Sequence, residues 1–320
     1  MKAMLLAAGA GSRLRPLTDR VPKPLAPIAN VPLLERTLSW LAGEGVTDVM
    51  VNVHHHAAKI SGAIGSGDGF GLAVHYSVEN ELLGTSGAVQ RCAEFFRDEP
   101  FYVVYGDNLI DADLGRLREF HKSKNAVATI ALFTPDDPSA CGMVDVSPDG
   151  RIERFVEKPK PGESQATMAN AGVYILNPSL LSTLPGGFSD FGKNMFPAWL
   201  DDGRPLFAAA LGGYLQDTGT PDRYRKANWD VLAGTLRYEP RGVSRQGAIM
   251  DRDAVISPNV QLVDRNVIGA RCTIDAEVTL QNCIVWPDAK IGAGSNLTNV
   301  IVGESAIIEA GTVADNTILV

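Results

Sequence analysis

The stretch MLLAAGAGSRLRPLTDRVPKPLAPI, residues 4–28, joins a short apolar run to a glycine turn and then to a series of cations. The apolar run at its start predicts a buried strand. Gly9 and Gly11 let backbone N–H groups approach a ligand closely, because glycine has no Cβ. Arg13 offers a planar fork and Lys23 a point charge, and both side chains bind phosphate. The stretch predicts a strand, an anion-binding turn and a cationic loop.

Two common phosphate-binding motifs do not match this turn. A Walker A loop requires a Gly-Lys pair, whereas Gly11 is followed by Ser12 and Arg13. The dinucleotide fingerprint GxGxxG requires a third glycine at the position of Leu14. The turn therefore belongs to neither class.

Composition and charge limit the possible partners. The 320 residues are 45% hydrophobic and 21% charged, as in ordinary globular proteins. The formal net charge of -8 argues against a nucleic-acid partner, which requires a basic face. The four cysteines have no metal-site or disulfide spacing, and no apolar run reaches the ~18 residues of a membrane span. We expect a cytoplasmic protein without a membrane or nucleic-acid partner.

The first 235 or so residues alternate strand-like and helix-like segments. Apolar runs such as DVMVNV and FYVVYGD alternate with amphipathic segments such as LLERTLSWLAGEG. This alternation is typical of a mostly parallel sheet covered by helices on both faces. Asp149 and Gly150 predict a hairpin turn, and Thr220 predicts the N-cap of a last helix. The fold class expected is α/β with a doubly wound, mostly parallel sheet.

From about residue 245, apolar residues recur every six positions, at Ile256, Leu262, Ile268, Ile274 and Leu280. The register then slips and returns at Ile291, Leu297 and near Ile308. A six-residue apolar period is typical of a β-helix, whose aliphatic side chains stack inside a triangular solenoid. We predict two domains, residues 1–238 and 245–320, with the linker at RYEPRGVSRQG, residues 237–247.

The repeat contains no histidine, because all five histidines precede residue 122. Acyltransferases with β-helix domains commonly use a histidine base, so a second, acetyl-transferring activity is not expected. We expect the repeat to support oligomer contacts or allosteric binding. The exposed edges of an open β-helix invite self-association, which favours a homo-oligomer.

Six motifs resemble, in order, those of the sugar-phosphate nucleotidyltransferases, also called nucleotide-sugar pyrophosphorylases. They are LLAAGAGSRLRPLTDRVPKPLAPIANVPLLE, ELLGTSGAV, VVYGDNL, VEKP, NAGVYIL and QDTGTPDRY. The resemblance covers essentially the first 235 residues, and the repeat looks like the left-handed β-helix tail of several members. It implies a Rossmann-like nucleotidyltransferase fold followed by a short left-handed β-helix.

The resemblance implies an enzyme that converts an NTP and a sugar 1-phosphate into an NDP-sugar and pyrophosphate. The second pKa of a phosphate monoester is about 6, so the nucleophile is largely ionised near pH 7 without a general base. Catalysis must then come from positioning and from neutralisation of negative charge. By the resemblance, Asp107 and Asp217 hold Mg²⁺, while Arg13 and Lys23 act on the phosphates.

The resemblance also assigns binding roles to further residues. Those expected against the nucleotide are Leu6, Ala8, Gly9, Gly11, Glu79, Gly84, Thr85, Gly87 and Asp107. Those expected against the sugar phosphate are Asn108, Gly142, Glu157, Lys158, Asn170 and Gly172. In this interpretation Gly84, Thr85 and Gly87 form a second small-residue turn where the base lies flat.

Glu79 is the residue that bears on the choice of base. An ionised carboxylate only accepts hydrogen bonds, and guanine offers two adjacent donors. Uracil or thymine offers one donor and two acceptors, and a buried unpaired acceptor costs about 1–3 kcal/mol. The Glu79 carboxylate thus favours GTP, and together with the resemblance it makes GTP with mannose 1-phosphate the favoured substrate pair. Transfer from UTP or dTTP to a glucose, N-acetylglucosamine or N-acetylmuramate type of 1-phosphate stays open, as does a non-catalytic ligand-sensing subunit on the same fold.

Overall fold

A computed structural model of the protein describes residues 1–245 and 247–320. Gln246, inside the predicted linker, lies outside the described residues. The chain divides into two compact units: Met1–Gly9 with Thr37–Leu215, and Ala10–Arg36 with Gln216–Val320. The cationic loop, Ala10–Arg36, therefore belongs to the same unit as the C-terminal repeat, although more than 170 residues separate them in the chain.

The α-helices span Leu33–Gly43 (α1), Ala57–Ile64 (α2), Gly84–Arg91 (α3), Leu114–Ser123 (α4), Phe196–Asp201 (α5) and Pro221–Leu232 (α6). The Thr220 hydroxyl accepts a hydrogen bond from the Arg223 N–H, which confirms the predicted N-cap of α6. Asp113 caps α4 in the same way, through the Arg116 N–H. These caps satisfy backbone donors that a helix start leaves without partners.

The strands before α6 are short and mostly apolar. They span Lys2–Leu6 (β1), Pro27–Ile28 (β2), Val31–Pro32 (β3), Asp48–Val53 (β4), Ala73–Val78 (β5), Phe101–Tyr105 (β6), Asn108–Ala112 (β7), Ala128–Phe133 (β8), Gly142–Val146 (β9), Ile152–Glu157 (β10), Ala169–Leu176 (β11), Leu206–Ala210 (β12) and Gly213–Asp217 (β13).

The main sheet of the first unit has the order β10-β9-β11-β6-β1-β4-β5, and β8 pairs with both β11 and β12. Strands β6, β1, β4 and β5 are mutually parallel, which confirms the predicted α/β sheet. Strand β11 runs antiparallel to β6 and β8, so the sheet is mixed. Strands β9 and β10 form an antiparallel hairpin, and Gly150 between them has φ +86°, as its predicted turn requires.

Large aromatic side chains fill the core against β11. Tyr174, Phe191, Phe196 and Trp199 are each at most 1% exposed. The ring centroids of Tyr174 and Phe196 lie 5.0 Å apart, and the rings of Phe191 and Phe196 stack at 5.6 Å. These rings belong to one close-packed cluster in the core of the first unit.

The C-terminal strands of the second unit are two or three residues long. They span Val243–Arg245 (β14), Ala248–Met250 (β15), Val255–Ile256 (β16), Gln261–Val263 (β17), Asn266–Ile268 (β18), Thr273–Ile274 (β19), Thr279–Gln281 (β20), Ile284–Val285 (β21), Lys290–Ile291 (β22), Asn296–Thr298 (β23), Ile301–Val302 (β24), Ile307–Ile308 (β25), Val313–Asp315 (β26) and Ile318–Leu319 (β27).

These strands form three parallel ladders, β15-β18-β21-β24-β27, β16-β19-β22-β25 and β17-β20-β23-β26, which make the three sides of a left-handed β-helix. Met250 pairs with Ile268, eighteen positions later. Ile268 pairs with Val285, and Val285 with Val302, each seventeen positions later. The predicted β-helix is confirmed, and the register slip arises because one side of each later coil has five residues instead of six.

Polar residues in the left-handed backbone region mark one corner of the β-helix. Asn282, Asn299 and Asn316 have φ of 53°, 52° and 46°, and successive members are seventeen residues apart. Asparagine adopts this conformation more readily than other non-glycine residues. These asparagines therefore allow the five-residue side of each later coil to turn its corner at low conformational cost.

The cysteines and the helix lengths can also be compared with the sequence-based expectations. Cys92, Cys141, Cys272 and Cys283 are free thiols. Among residues 1–245 and 247–320, no helix has the length and apolar character needed to cross a membrane.

Candidate active site

The parallel strands of the first unit end at one edge of the sheet, where Glu79 follows β5. The Ala7 N–H donates to Oδ1 of Asn52 at 2.8 Å, and Nδ2 of Asn52 donates to Oε1 of Glu79 at 2.8 Å. The Leu83 N–H donates to Oε2 of Glu79 at 3.1 Å. Glu79 is 3% exposed, so its carboxylate is held by the chain and does not point to solvent. Asn52 was not predicted as a site residue, although a polar residue inside the apolar run DVMVNV indicates a buried hydrogen-bonding role.

Asp107 lies in the turn that follows β6, at the same edge. The Gly106 N–H donates to the Leu6 carbonyl oxygen at 2.9 Å, so this turn lies against the end of β1. A Cβ at Gly106 would lie 2.9 Å from that oxygen, and glycine permits the approach. Asp107 is half-buried, whereas Gly9 is exposed. The residue before Asp107 is therefore in contact with Leu6, one of the predicted nucleotide-site residues.

The small-residue turn expected at Gly84, Thr85 and Gly87 is instead the first turn of helix α3. The carbonyl oxygen of Ser189 accepts a hydrogen bond from the Gly87 N–H at 3.2 Å. A Cβ at Gly84 would overlap the Ser189 oxygen, and one at Gly87 would overlap the Gly187 oxygen. Packing alone therefore requires glycine at both positions, independently of any nucleotide, because the chain segment before α5 lies directly against them.

Asp190 ties α3 to that same segment and was not predicted from the sequence. The Thr85 hydroxyl donates to Oδ2 of Asp190 at 3.0 Å and accepts from the Phe191 N–H at 2.8 Å. The Gly192 N–H donates to Oδ1 of Asp190 at 3.0 Å. An aspartate ahead of a helical segment is an ordinary N-cap signal, and nothing in its local sequence indicated a site.

Asn170 is fixed by an irregularity in strand β11. The pairing of β11 with β8 shifts register between Asn170 and Tyr174. There the Gly172 N–H donates to Oδ1 of Asn170 at 2.8 Å, and Nδ2 of Asn170 donates to the Tyr174 hydroxyl at 2.8 Å. Gly172 has φ +69°, and a Cβ on it would lie 2.8 Å from the Tyr105 ring. Only glycine meets both conditions, so Gly172 sets the position of Asn170.

Glu157 lies between two glycines of the first unit. A Cβ at Gly142 would lie 2.7 Å from Oε2 of Glu157, and one at Gly192 would lie 2.6 Å from it. Burial raises the pKa of the Glu157 carboxyl, and the nearby Asp190 charge raises it further. The two glycines therefore make the space that the Glu157 carboxylate occupies.

Lys158 and Asn108 complete the sugar-phosphate residues predicted in this unit. Lys158 is exposed and has φ +50°, and its N–H donates to the Cys141 carbonyl oxygen at 3.0 Å. A non-glycine residue in this region carries backbone strain, which clusters at functional sites. Asn108 is 9% exposed, and its Nδ2 donates to the Ala171 carbonyl oxygen at 3.4 Å.

In the second unit, three cations surround the carboxylate of Asp217; we call Arg13, Lys23 and Arg223 the cation cluster. Arg223 Nη1 lies 2.6 Å and Arg13 Nη2 3.8 Å from Oδ2, while Lys23 Nζ lies 3.6 Å from Oδ1. The Gly219 N–H also donates to Oδ1 at 2.7 Å. Lys23 is only 5% exposed. The predicted residues Arg13, Lys23 and Asp217 thus converge, and Arg223 joins them without having been predicted.

Gly11 lies against the backbone segment that carries Lys23. It has φ +62°, and a Cβ there would lie 2.9 Å from Cβ of Lys23. The Thr18 hydroxyl donates to the Gly11 carbonyl oxygen at 2.9 Å and closes the turn. Arg15, in the same segment, pairs with Asp19 at 3.0 Å, and both side chains are more than half exposed.

The chemistry of the acidic residues can be compared with what a metal requires. Within residues 1–245 and 247–320, no group of three or more histidine, cysteine, aspartate or glutamate side chains could hold a metal. Mg²⁺ usually takes one or two carboxylates and completes its octahedron with substrate phosphates and water. Asp107 and Asp217, one in each unit, are single half-buried carboxylates of that kind. The donor type of each carboxylate fits a Mg²⁺ ligand, for which phosphate oxygens and water would supply the other positions.

Comparisons with known proteins identify the family of the chain. A family model described as nucleotidyl transferase matches residues 2–234, and one described as the GMPPB C-terminal domain matches residues 244–320. A UTP–glucose-1-phosphate uridylyltransferase of Synechocystis sp. is 31% identical, over 98% of this chain and 90% of that protein. A mannose-1-phosphate guanyltransferase of Aspergillus fumigatus is 32% identical, over 95% of this chain and 86% of that protein.

Other similarities point the same way. A mannose-1-phosphate guanylyltransferase of Mycobacterium tuberculosis is 30% identical, over 91% of this chain and 81% of that protein. The crystal structure of a putative glucose-1-phosphate thymidylyltransferase from Bacillus anthracis superposes with a TM-score of 0.67 and 26% identity, over 77% of this chain and 98% of that one. The chain belongs to the nucleotidyl transferase family, as its six motifs predicted.

Proposed function

We propose that this protein transfers a nucleotidyl group from an NTP to a sugar 1-phosphate, with GTP and mannose 1-phosphate as its substrates and GDP-mannose and pyrophosphate as products. The cation cluster is the observation that carries the proposal. Three cations face one carboxylate, so the cluster retains an excess of positive charge beside a glycine turn. Such an excess suits a polyanion such as a triphosphate.

For this reaction the protein must mainly position the two substrates and neutralise the negative charge of their phosphates. A phosphate oxygen of the sugar 1-phosphate attacks the α-phosphorus, and pyrophosphate leaves from the opposite side. The attacking oxygen is already ionised near pH 7, because the second pKa of the phosphate is about 6. Arg13 is more than half exposed and can move onto the phosphates, whereas the buried Lys23 offers a fixed charge. Neutralisation by preorganised groups of this kind is a major source of catalysis.

Sugar nucleotidyltransferases generally use a divalent metal, and we propose Mg²⁺ held by Asp107 and Asp217. When bound, the ion neutralises phosphate charge and favours departure of pyrophosphate. Asp217 now shares its carboxylate with the cation cluster. An incoming triphosphate would take over some of these cations and free the Asp217 oxygens as ligands.

The base site in this proposal is the edge that carries Glu79. Asn52 and the Leu83 N–H each use one acceptor position of the Glu79 carboxylate. A carboxylate has about four such positions, so two can still receive the ring N–H and the amino group of guanine. The matching of two acceptors to two donors favours GTP. The uridylyltransferase among the relatives keeps UTP as the competing nucleotide.

The sugar site in this proposal is the part of the first unit around Asn170, Glu157 and Lys158. Asn170 is held on both sides by Gly172 and Tyr174, so its remaining amide hydrogen and lone pair have defined directions. Burial raises the pKa of the Glu157 carboxyl, and above that pKa both of its oxygens can accept hydrogen bonds from sugar hydroxyls. Lys158 supplies the exposed cation for the sugar phosphate.

The test is pyrophosphate release with Mg²⁺ across a grid of five NTPs and the 1-phosphates of mannose, glucose and N-acetylglucosamine. We expect release only when both substrates are present, and fastest with GTP and mannose 1-phosphate. Asp107→Asn and Asp217→Asn should each slow it by about 100-fold or more. Asp98→Asn, which changes an exposed carboxylate near Lys2, is the control.

Other outcomes distinguish the alternatives. Release with UTP or dTTP but not GTP would keep the reaction and exclude the guanine assignment. No release with any pair, from folded protein that still binds nucleotide, would favour the ligand-sensing subunit. We also propose that the protein is cytoplasmic and that it forms a homo-oligomer. The molar mass from light scattering tests the oligomeric state.

A further inference from the structure

We propose that Trp286 of the β-helix is a positioning residue for the cationic loop and that it acts through Tyr224 of helix α6. The inference rests on the proposed function for its substrates, and on contacts within the second unit for its geometry. It gives the C-terminal repeat an indirect role in nucleotide binding, through the cationic loop, beyond support of oligomer contacts or allosteric binding.

A chain of buried hydrogen bonds links the β-helix to the loop. Nε1 of Trp286 donates to the Tyr224 hydroxyl at 2.9 Å. That hydroxyl donates in turn to the carbonyl oxygen of Pro27, in strand β2. Trp286 is 1% and Tyr224 0% exposed, so water cannot replace either partner. The two rings also pack with centroids 6.0 Å apart.

A second pair of contacts grips the turn between β2 and β3. Oδ1 of Asn228 accepts from the Ala29 N–H at 2.7 Å, and its Nδ2 donates to the Tyr224 carbonyl oxygen at 2.9 Å. Nδ2 of Asn30 donates to the Ile268 carbonyl oxygen in the β-helix at 2.9 Å. The turn is therefore held by α6 on one side and by a β-helix coil on the other.

The same helix carries part of the cation cluster. Arg223, the neighbour of Tyr224 in the first turn of α6, pairs with Asp217. Lys23 stands four residues before Pro27, and its Nζ lies 3.6 Å from the same carboxylate. The Tyr224 hydroxyl, which bonds to both Trp286 and Pro27, thus fixes the distance between the cationic loop and helix α6. Charge-assisted hydrogen bonds to phosphate depend on distance and angle, so a displaced loop would weaken the hold of Lys23 on the nucleotide.

The chain offers a matched control for removal of the indole donor. Trp199 of α5 is also 1% exposed, and its Nε1 donates at 2.9 Å to a hydroxyl, that of Thr183. Trp286→Phe and Trp199→Phe therefore delete the same donor from the same kind of bond, one in each unit. A merely structural role predicts similar effects from both.

The experiment measures kcat and both KM values for the two variants, for Tyr224→Phe and for the double variant Trp286→Phe/Tyr224→Phe. We expect Trp286→Phe to raise KM for the NTP about 5- to 20-fold and KM for the sugar 1-phosphate less than 2-fold. Trp199→Phe should change neither by more than 2-fold. The double variant should resemble Tyr224→Phe alone, because the two side chains act in one chain. Equal effects of the two tryptophan variants, or equal increases in both KM values, would overturn the proposal.

Amide hydrogen exchange of the ligand-free protein separates this inference from the proposed function. Trp286→Phe should speed exchange of the Ala29 N–H at least tenfold, whereas Trp199→Phe should not. If no NTP supports product formation while this difference persists, the proposed function fails and the positioning role stands. If exchange in the loop is unchanged by Trp286→Phe, the positioning role fails whatever the enzyme does.

Discussion

The guanidinium of Arg223 lies 2.6 Å from Oδ2 of Asp217, closer than either of the cations that the sequence motifs indicated. The residues stand six apart, across the start of α6, with Gly219 and the Thr220 cap between them. This contact places a third cation where the triphosphate is proposed to bind. In the proposed function, Asp217 exchanges this partner for the metal when the triphosphate binds.

Arg223→Gln should raise KM for the NTP about tenfold, because it removes one charge-assisted contact worth about 1.4 kcal/mol. The same variant should lower the Mg²⁺ concentration needed for half-maximal rate, since Asp217 loses a competing cation. Lys226→Gln is the control, because Lys226 lies on the same helix and pairs with Asp230. Steady-state kinetics with varied NTP and varied Mg²⁺ test both effects. Equal KM values in the two variants would remove Arg223 from the nucleotide site.

Glu79→Gln should lower the ratio of kcat/KM for GTP to that for UTP by about tenfold or more. The substitution replaces one acceptor oxygen with a donor, and an unpaired buried group costs about 1–3 kcal/mol. Stability should also fall, because the new NH₂ group would face the Asn52 or Leu83 donor. The ratio is measured on one folded protein, so a change in stability does not affect it. Glu81→Gln, at an exposed position, should leave the ratio unchanged.

Gly142→Ala should weaken the sugar 1-phosphate much more than the NTP. The new Cβ would lie 2.7 Å from Oε2 of Glu157 and 2.7 Å from the edge of the Phe155 ring. The carboxylate is the flexible neighbour and must move, so we expect a rise in KM for the sugar 1-phosphate of about tenfold. Gly69→Ala, whose Cβ would meet nothing within 4 Å, should change neither KM. A selective rise in the KM of the NTP would contradict the assignment of Glu157 to the sugar.

The buried His121 should make stability fall in mild acid. Burial lowers the pKa of its imidazole from 6.5 to about 4, so between these values the unfolded chain binds a proton that the folded chain does not. The free energy of unfolding should therefore drop by about 2 kcal/mol from pH 7 to pH 5 through this group. His121→Asn, which keeps a polar atom near the Thr129 hydroxyl, should reduce the drop. Urea unfolding at both pH values measures it, and equal drops in the two proteins would exclude His121 as the cause.

Much of the fold followed from local patterns. The run DVMVNV corresponds to β4 and the Asp149-Gly150 pair to the β9–β10 turn, because strand and turn signals lie within a few residues of the structure they specify. The six-residue period predicted the β-helix but not its coil length, since a five-residue side removes one position without changing the type of residue that points inward.

The contacts that complete the site could not be predicted in this way. Arg223 can be assigned to the site only because its partner Asp217 also contacts Lys23, which is 200 positions earlier in the chain. Asp190 and Asn52 look like a helix cap and a stray polar residue until their partners Thr85 and Glu79 are known. The division into units also joins the segment Ala10–Arg36 to the C-terminal repeat, and no local pattern encodes that association.

This association has a consequence for the order in which the protein becomes active during synthesis. The ribosome makes Pro27 and Ala29 early, but their partners Tyr224 and Asn228 some 200 residues later, and Trp286 later still. At about 5–20 residues per second, the wait for Trp286 is on the order of 10–50 s. By the positioning role proposed for Trp286, a nascent chain completes its first sheet before it can hold a nucleotide, and a chain cut short before Trp286 would lack this contact to the loop.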